Sequence, residues 1–192
     1  QTVQAQTAIL AYKFNGTGTV ASVTDSSNVT AVTLKNSADA ATDLHSADGL
    51  GVSGSAGDRS FDNTASSSMG GSGGRADQAD LIAIDALTSF TLQGWFKTDG
   101  STAIGGGQGT SKAVLLHNTS RIGAPANKKG FELYGSSGDF KLEVDDGDVS
   151  TSATSGYGDT QSWIFFAVTY NGSSTSDNVK FYKGSASSEV TL

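Results

Sequence analysis

The segment SWIFFAVTYNG, residues 162–172, is the most apolar run of the chain and decides how the fold is interpreted. Alternate side chains of a β-strand point to opposite faces. One face then carries Ile164, Phe166, Val168 and Tyr170, and the other carries Trp163, Phe165, Ala167 and Thr169. The run is short, aromatic and β-branched, and it stops at Asn-Gly, which favours a strand over a helix. Because both faces are largely apolar, we expect a central strand that is covered on both sides.

Other segments with strand-like patterns recur about every 8–12 residues, a spacing typical of an all-β sandwich. They are residues 8–14, 29–34, 89–98, 112–118, 130–135, 139–144 and 178–184. In SFTLQGWFKT (89–98), Phe90, Leu92 and Phe96 alternate with a second face that includes Trp95 and Lys97. In NVKFYKG (178–184), Lys180 and Tyr182 lie opposite Val179, Phe181 and Lys183. No segment keeps a helical period, and a short helix near residues 77–86 is the one candidate.

Composition excludes several classes of function. The chain has 192 residues, a net charge of −7, 25 Gly, 1 Pro and no Cys. An acidic chain without a basic patch does not suit a nucleic-acid partner. No run approaches the roughly 18 apolar residues of a membrane-spanning helix, so we expect no membrane insertion. The lack of Cys excludes disulfides and thiolate metal sites.

The low-complexity stretch ASSSMGGSGGR (65–75) is either a linker between two domains or a surface loop. Residues 1–64 offer too little apolar material for a core of their own, which favours the loop. The sequence therefore predicts one domain over residues 1–192. The opening QTVQAQTAILAYKF would suit a mature chain whose signal peptide has been removed, so we expect a secreted or cell-surface protein.

Four segments resemble the laminin-G-like, concanavalin A-like domains of bacterial secreted proteins. They are LAYKFNG with VTDSSN, SFTLQGWFKTDG, GFELYGSSGDFKLEVDDGD and SWIFFAVTYNGSSTSDNVKFYKG, in the order found in that family. The resemblance implies an antiparallel β-sandwich of jelly-roll type. It also implies further closing strands after Leu192, so that the sandwich of this chain would lack its last strands.

An acidic segment, LEVDDGD (142–148), is the strongest candidate for catalysis. Glycosidases of the concanavalin A-like class carry acidic residues at alternate positions of one strand, with carboxyl groups about 5 Å apart in retaining enzymes. Glu143 and Asp145 would share a face, but Gly147 stands where the usual third acid belongs and Asp148 follows it. A polar hairpin ending in a turn explains the segment better, and we expect no catalytic residues.

Calcium is the cofactor that the sequence favours. Ca²⁺ prefers oxygen ligands from carboxylates, amides and irregular loops. The resemblance implies that such an ion pins the N-terminal loops against the sandwich. The candidate ligands are Asp25 and Asn28 in TDSSN, and Asp58, Asp62 and Asn63 in GDRSFDN. The alternative is that these Asp and Asn residues only form turns.

Exposed aromatic residues are the candidates for ligand binding, because a Tyr or Trp ring stacks on the apolar face of a sugar. Tyr134 and Tyr157 are the candidate ligand residues, with Trp95 as a third. In the resemblance, Trp95 and Trp163 correspond to core positions, so we expect both to be buried. Tyr157, in the loop TSGYGDT, is the one we most expect to be exposed.

These observations predict a non-catalytic extracellular module of a bacterial protein for recognition or adhesion. Its partner would be a carbohydrate or a surface or matrix protein. One alternative is a glycoside hydrolase of the concanavalin A-like class, either active or degenerate. Another is a structural spacer in a larger surface protein, because the same fold hosts all three.

Overall fold

The computed structural model describes residues 8–16, 20, 31–36, 38–63, 74–77, 87–98, 113–118, 130–136, 139–144, 149–152 and 161–191. These residues form strands, bridges and turns, and within them there is no helix. Contacts divide the chain into two compact units, residues 1–84 and 85–192. The fold is all-β, with antiparallel sheets, as the strand pattern predicted. A single domain over residues 1–192 and the jelly-roll connectivity stay predictions.

The described residues of the second unit form eight strands in two four-stranded antiparallel sheets. The strands are β3 (Ser89–Phe96), β4 (Ala113–His117), β5 (Phe131–Ser136), β6 (Asp139–Val144), β7 (Val149–Ser152), β8 (Ile164–Asn171), β9 (Val179–Ser185) and β10 (Ser188–Thr191). The first sheet has the order β10-β9-β8-β3, and the second has the order β4-β5-β6-β7. This unit thus begins in one sheet with β3, builds the other sheet as a meander, and returns with β8 beside β3.

Aromatic side chains join the two sheets face to face. The rings of Phe90 and Phe131 lie 4.9 Å apart, and Phe96 lies 4.9 Å from Phe140. Phe140 also meets Phe166 edge-on at 5.4 Å. Because β3 and β8 belong to one sheet and β5 and β6 to the other, these contacts form the sandwich core. Leu133, Leu142 and Val168 are fully buried beside them.

Strand β8 is the central strand that the opening segment predicted. All eight of its residues pair with β3, from Phe96 with Ile164 to Ser89 with Asn171, and β9 pairs along the other side. Phe166 and Val168 are buried on its inner face. The prediction of two covered faces is only partly right, because Trp163 and Phe165 on the other face are half-buried.

The first unit is built mainly from turns and single bridges. Its two short strands, β1 (Thr33–Lys35) and β2 (Arg75–Asp77), pair antiparallel. Its core consists of Val20, Val32 and Leu34, with Tyr12, Phe14, Leu44 and Phe61 packed against them. Lys35 and Arg75 both contact Asp39 and Asp77, so four charged groups tie the two strands together.

Several strand predictions need correction. Residues 8–14 contain a single bridge residue, Tyr12, and no strand. Residues 31–34, the described part of 29–34, contribute the bridge residue Val32 and the start of β1. Strands β7 and β10 were missed, since VSTS and SEVT are short and polar and carry no apolar alternation. The candidate helix near 77–86 lies outside the described residues beyond Asp77, which belongs to β2.

Candidate functional site

The outer face of the β10-β9-β8-β3 sheet, the side away from the sandwich core, brings aromatic side chains of three strands together. Strand register arranges this face in rows across β3, β8 and β9. Along the sheet, the rows are Trp95, Phe165 and Gly184, then Gln93, Ala167 and Tyr182, then Thr91, Thr169 and Lys180. Trp163 and Lys97 extend the face beyond the first row, so both tryptophans of the chain belong to it.

Two aromatic contacts lie at the end of this face that carries Trp95 and Trp163. The rings of Trp95 and Phe165 lie 5.4 Å apart in an edge-on arrangement with an interplanar angle of 63°. Lys97 Nζ lies 5.2 Å from the centre of the Trp163 ring, within the range of a cation–π contact. Such contacts fix the orientation of large rings without burying them.

The expectation that Trp95 belongs to the core is wrong, because its side chain is 37% exposed. The physical reason is the alternation of β3: Phe90, Leu92 and Phe96 take the inner face, so Trp95 is forced outward. Trp163 is half-buried rather than buried. For Trp95 the resemblance implied a core position against the alternation of β3, whereas for Trp163 both the resemblance and the apolar pattern predicted burial.

A polar cavity of about 350 Å³ lies at the other end of the same face, at the β8–β9 hairpin. Its lining combines side-chain amides, hydroxyls, one carboxylate and one ammonium group with one aromatic ring. The lining residues are Thr169, Asn171, Ser174, Ser176, Asp177, Asn178, Lys180 and Tyr182. Tyr182 therefore belongs both to the cavity and to the outer face. We refer to this feature as the hairpin cavity.

The shape of the hairpin cavity is set by the Asn171–Gly172 turn. Asn171 Oδ1 accepts a hydrogen bond from the Ser173 N–H at 3.1 Å, and the Gly172 N–H donates to the Thr88 carbonyl at 2.8 Å. A Cβ on Gly172 would lie 2.5 Å from that carbonyl oxygen, so only glycine fits. Asp177 has a φ of 49° and turns the chain back into β9. These hydrogen bonds thus fix the backbone of the hairpin from which the polar side chains project.

A second polar group lies on the outer side of the other sheet. Glu132 and Glu143 are direct cross-strand partners on β5 and β6, and the Tyr134 hydroxyl donates to Glu143 Oε1 at 2.7 Å. Glu132 is buried. Burial is the main cause that raises the pKa of Tyr134 above its usual range, and the hydrogen bond to the Glu143 carboxylate raises this pKa further. Asp145 and Asp148, the other acids of the candidate glycosidase segment, lie outside the described residues.

The structure corrects one of the two aromatic ligand candidates. Tyr134 is 5% exposed, so the expectation of an accessible ring is wrong for it. Its hydroxyl is held by Glu143, which fixes the ring against the sheet. Tyr157 lies outside the described residues. Tyr182, which the sequence reasoning placed on a strand but did not single out, is the half-buried tyrosine that borders a cavity.

The candidate calcium ligands are in part engaged in turns. The Asp58 carboxylate accepts hydrogen bonds from the Ser53 N–H and from Ser53 Oγ, and these hold the pKa of Asp58 below its usual range. Asn63 Oδ1 accepts from the Gly74 N–H at 2.7 Å. The Asp62 N–H donates to the Leu44 carbonyl. Asp25 and Asn28 lie outside the described residues.

Within the part of the chain that the structure describes, no three His, Cys, Asp or Glu side chains form a group suited to a metal ion. His45 is buried, and its Nδ1 lies 2.7 Å from Asp43 Oδ1. His117 ends β4 and is exposed. Calcium binding therefore stays a prediction that depends on residues beyond those described.

Comparisons of the chain with protein-family models, with curated proteins and with solved structures found no match. A search of the described residues for a helix long and apolar enough to cross a bilayer also found none.

Proposed function

We propose that the protein is a non-catalytic extracellular recognition module that binds carbohydrate at the hairpin cavity. Sugars present hydroxyl groups that both donate and accept hydrogen bonds. Asn178 offers an amide with both capabilities, Asn171 offers an amide N–H donor while its oxygen already accepts from Ser173 and Ser89, and Lys180 adds a further donor. In this proposal the module serves adhesion or recognition at a cell surface.

The observation that carries the proposal is the combination of polar side chains and one aromatic ring around a single cavity. Tyr182 supplies an apolar ring with a polar edge, which suits a sugar whose faces are apolar and whose edges are polar. The polar groups stand on a hairpin that backbone hydrogen bonds already shape. Binding to such a site loses little free energy to ordering of the protein.

A glycan-array screen, run with calcium and with EDTA, tests the proposal. Wild-type protein should bind at least one group of glycans, and Asn178→Ala and Lys180→Ala should each weaken that binding. Lys13→Ala removes an exposed lysine from the other compact unit and serves as the matched control. Absence of binding to every glycan, or equal binding by the cavity variants and the control, would contradict the proposal.

The second candidate function is glycoside hydrolysis, which one observation favours. Glu132 and Glu143 face each other across β5 and β6, and directly opposed residues of this kind have Cβ atoms about 4.5–5.5 Å apart. Retaining glycosidases need two carboxyl groups at a similar separation. The burial of Glu132 and of Tyr134 argues against substrate access to this pair.

An assay on soluble β-glucans separates the two functions. We expect no release of reducing ends by the wild-type protein. Turnover that disappears in Glu143→Gln, while Asn178→Ala retains it, would establish the hydrolase and displace the binding proposal. A third function, that of a spacer without a ligand, predicts neither turnover nor glycan binding.

A further inference from the structure

The hairpin cavity and the aromatic residues of the outer face are parts of one continuous surface. Tyr182 lines the cavity and also stands in the same row as Ala167 and Gln93. The next row along β8 contains Phe165, with Trp95 on one side. A ligand that extends from the cavity along the sheet would therefore contact these aromatic rings.

The length of this surface exceeds that of a single sugar. Trp163 and Asn171 are eight residues apart along β8 and its N-terminal extension, which corresponds to about 27 Å in an extended strand. Successive rows lie roughly 7 Å apart by the same rise. A ligand confined to the hairpin cavity would leave the side chains of Trp95 and Gln93 unused, although both are exposed.

The sizes of the side chains on the outer face suit a ligand chain with flat faces. Gly184 has no side chain and stands opposite Phe165, and Ala167 stands between Gln93 and Tyr182. Ala167 is partly exposed and projects less from the sheet than Gln93 and Tyr182 beside it, whereas Gly184 is buried. Trp95, whose ring packs edge-on against Phe165, lies in the neighbouring row of the face. An extended ligand can therefore lie against the face without displacing a large side chain.

The charges of the face indicate a neutral ligand. On β3, β8, β9 and the hairpin that joins β8 to β9, the charged groups of this face stand at its two ends: Lys97 above Trp163, and Lys180 with Asp177 at the hairpin cavity. The two rows between contain Gln93, Trp95, Phe165, Ala167, Tyr182 and Gly184, none of which is charged. A polyanionic chain would find no cation along this middle section, and the net charge of −7 would repel it.

We propose that the outer face binds a neutral, linear chain of equatorially linked sugars that runs along β8 from the hairpin cavity to Trp95. In such sugars the hydroxyls project from the ring edges, and the C–H bonds on both faces are available for stacking on aromatic rings. This inference rests on the proposed function and adds the ligand class: the interior of a chain rather than a terminal residue.

Isothermal titration calorimetry with cello-, xylo- and chito-oligosaccharides, from disaccharide to hexasaccharide, tests this inference on the full chain, with malto-oligosaccharides and oligogalacturonates as comparison ligands. In at least one series the association constant should increase by roughly tenfold or more over that range. Trp95→Ala should remove this increase and leave disaccharide binding unchanged, whereas Trp95→Phe should retain part of it. Leu116→Ala, which shortens a comparably exposed apolar side chain on β4, is the matched control and should behave as wild type.

The possible outcomes separate the two proposals. Binding that does not depend on chain length, preference for malto-oligosaccharides or oligogalacturonates, or equal behaviour of Trp95→Ala and Leu116→Ala would overturn the linear-chain inference while leaving the hairpin cavity as a sugar site. Absence of binding to any sugar in these titrations and on the array would overturn both, and would leave the outer face to a protein partner.

Discussion

Trp95 and Phe165 are direct cross-strand partners on the outer side of the sandwich, with ring centres 5.4 Å apart. The next residue of β3, Phe96, packs inward against Phe140, with ring centres 4.9 Å apart. The sheet that contains β3 and β8 is therefore aromatic on both sides. The inner aromatic residues hold the two sheets together, and the outer ones remain accessible for another purpose.

Phe166→Ala should cost about 3–5 kcal/mol of unfolding free energy, because it removes a buried ring from the sandwich core. Phe166 is 4% exposed and contacts the rings of Phe96 and Phe140. Phe165→Ala, on the half-buried outer face, should cost distinctly less. Urea denaturation measures both variants. A loss below about 1 kcal/mol for Phe166→Ala would show that the register of β8 is incorrect.

Gly172→Ala should destabilise the protein by about 1–3 kcal/mol, the usual range for overpacking. The added methyl group would lie 2.5 Å from the Thr88 carbonyl oxygen, which is backbone and cannot rotate away. Gly16→Ala is the matched control, because nothing lies within 4 Å of a Cβ at that position. Equal unfolding midpoints for the two variants would contradict the described geometry of the Asn171–Gly172 turn.

The pairing of β1 with β2 should weaken in acid. The hydrogen bond from Lys35, at 3.1 Å, is the main cause that holds the pKa of Asp77 below its usual range. A lowered carboxyl pKa contributes stability above the ordinary Asp value of about 3.9, and this stability is lost as the pH falls through the folded-state pKa.

Amide hydrogen exchange in β1 and β2 measures this effect. Asp77→Asn should reduce protection at neutral pH, and the difference from wild type should shrink as the pH falls through the lowered pKa of Asp77 and the carboxyl group becomes protonated. The effect should be modest, because the Asp77 side chain is 40% exposed. A difference that persists unchanged in acid would show that Asp77 does not act through its charge.

Calcium should raise the melting temperature if the TDSSN and GDRSFDN loops converge on an ion. An ion that binds only the native state adds RT ln(1 + [L]/Kd) to its stability. Scanning calorimetry in millimolar calcium and in EDTA measures the effect, and Asp58→Asn should reduce it. Identical melting curves in the two conditions would remove the calcium hypothesis and leave Asp58 as a residue that stabilises the turn at Ser53.

Alternation alone predicted which residues share a face of each strand, and those faces were correct for β3, β8 and β9. It placed Trp95 opposite Phe96, Phe165 opposite Phe166, and Tyr182 opposite Phe181. It did not predict the outer face, because strand order and register decide which faces become neighbours. Residues 89–96 and 164–171 are far apart in sequence, and only their pairing brings Trp95 against Phe165.

The hairpin cavity could not be predicted for a different reason. NGSSTSD is a polar turn sequence that many surface hairpins share, and nothing in its composition distinguishes a cavity from an exposed loop. The cavity depends on the close approach of Gly172 to Thr88 and on the left-handed backbone of Asp177. The close approach of Gly172 to Thr88 becomes evident only once β3 and β8 are paired.

The most direct test of the outer face as a sugar site uses the two tryptophans of the chain, which give two indole N–H signals in a ¹⁵N-HSQC spectrum. Trp95→Phe and Trp163→Phe assign the signals. On titration with the hexasaccharide that binds most tightly in calorimetry, both indole signals should shift with a shared saturation curve, and the Tyr182 backbone amide should shift with them. Saturable binding of the hexasaccharide while neither indole signal moves would place the sugar elsewhere on the protein and contradict the account.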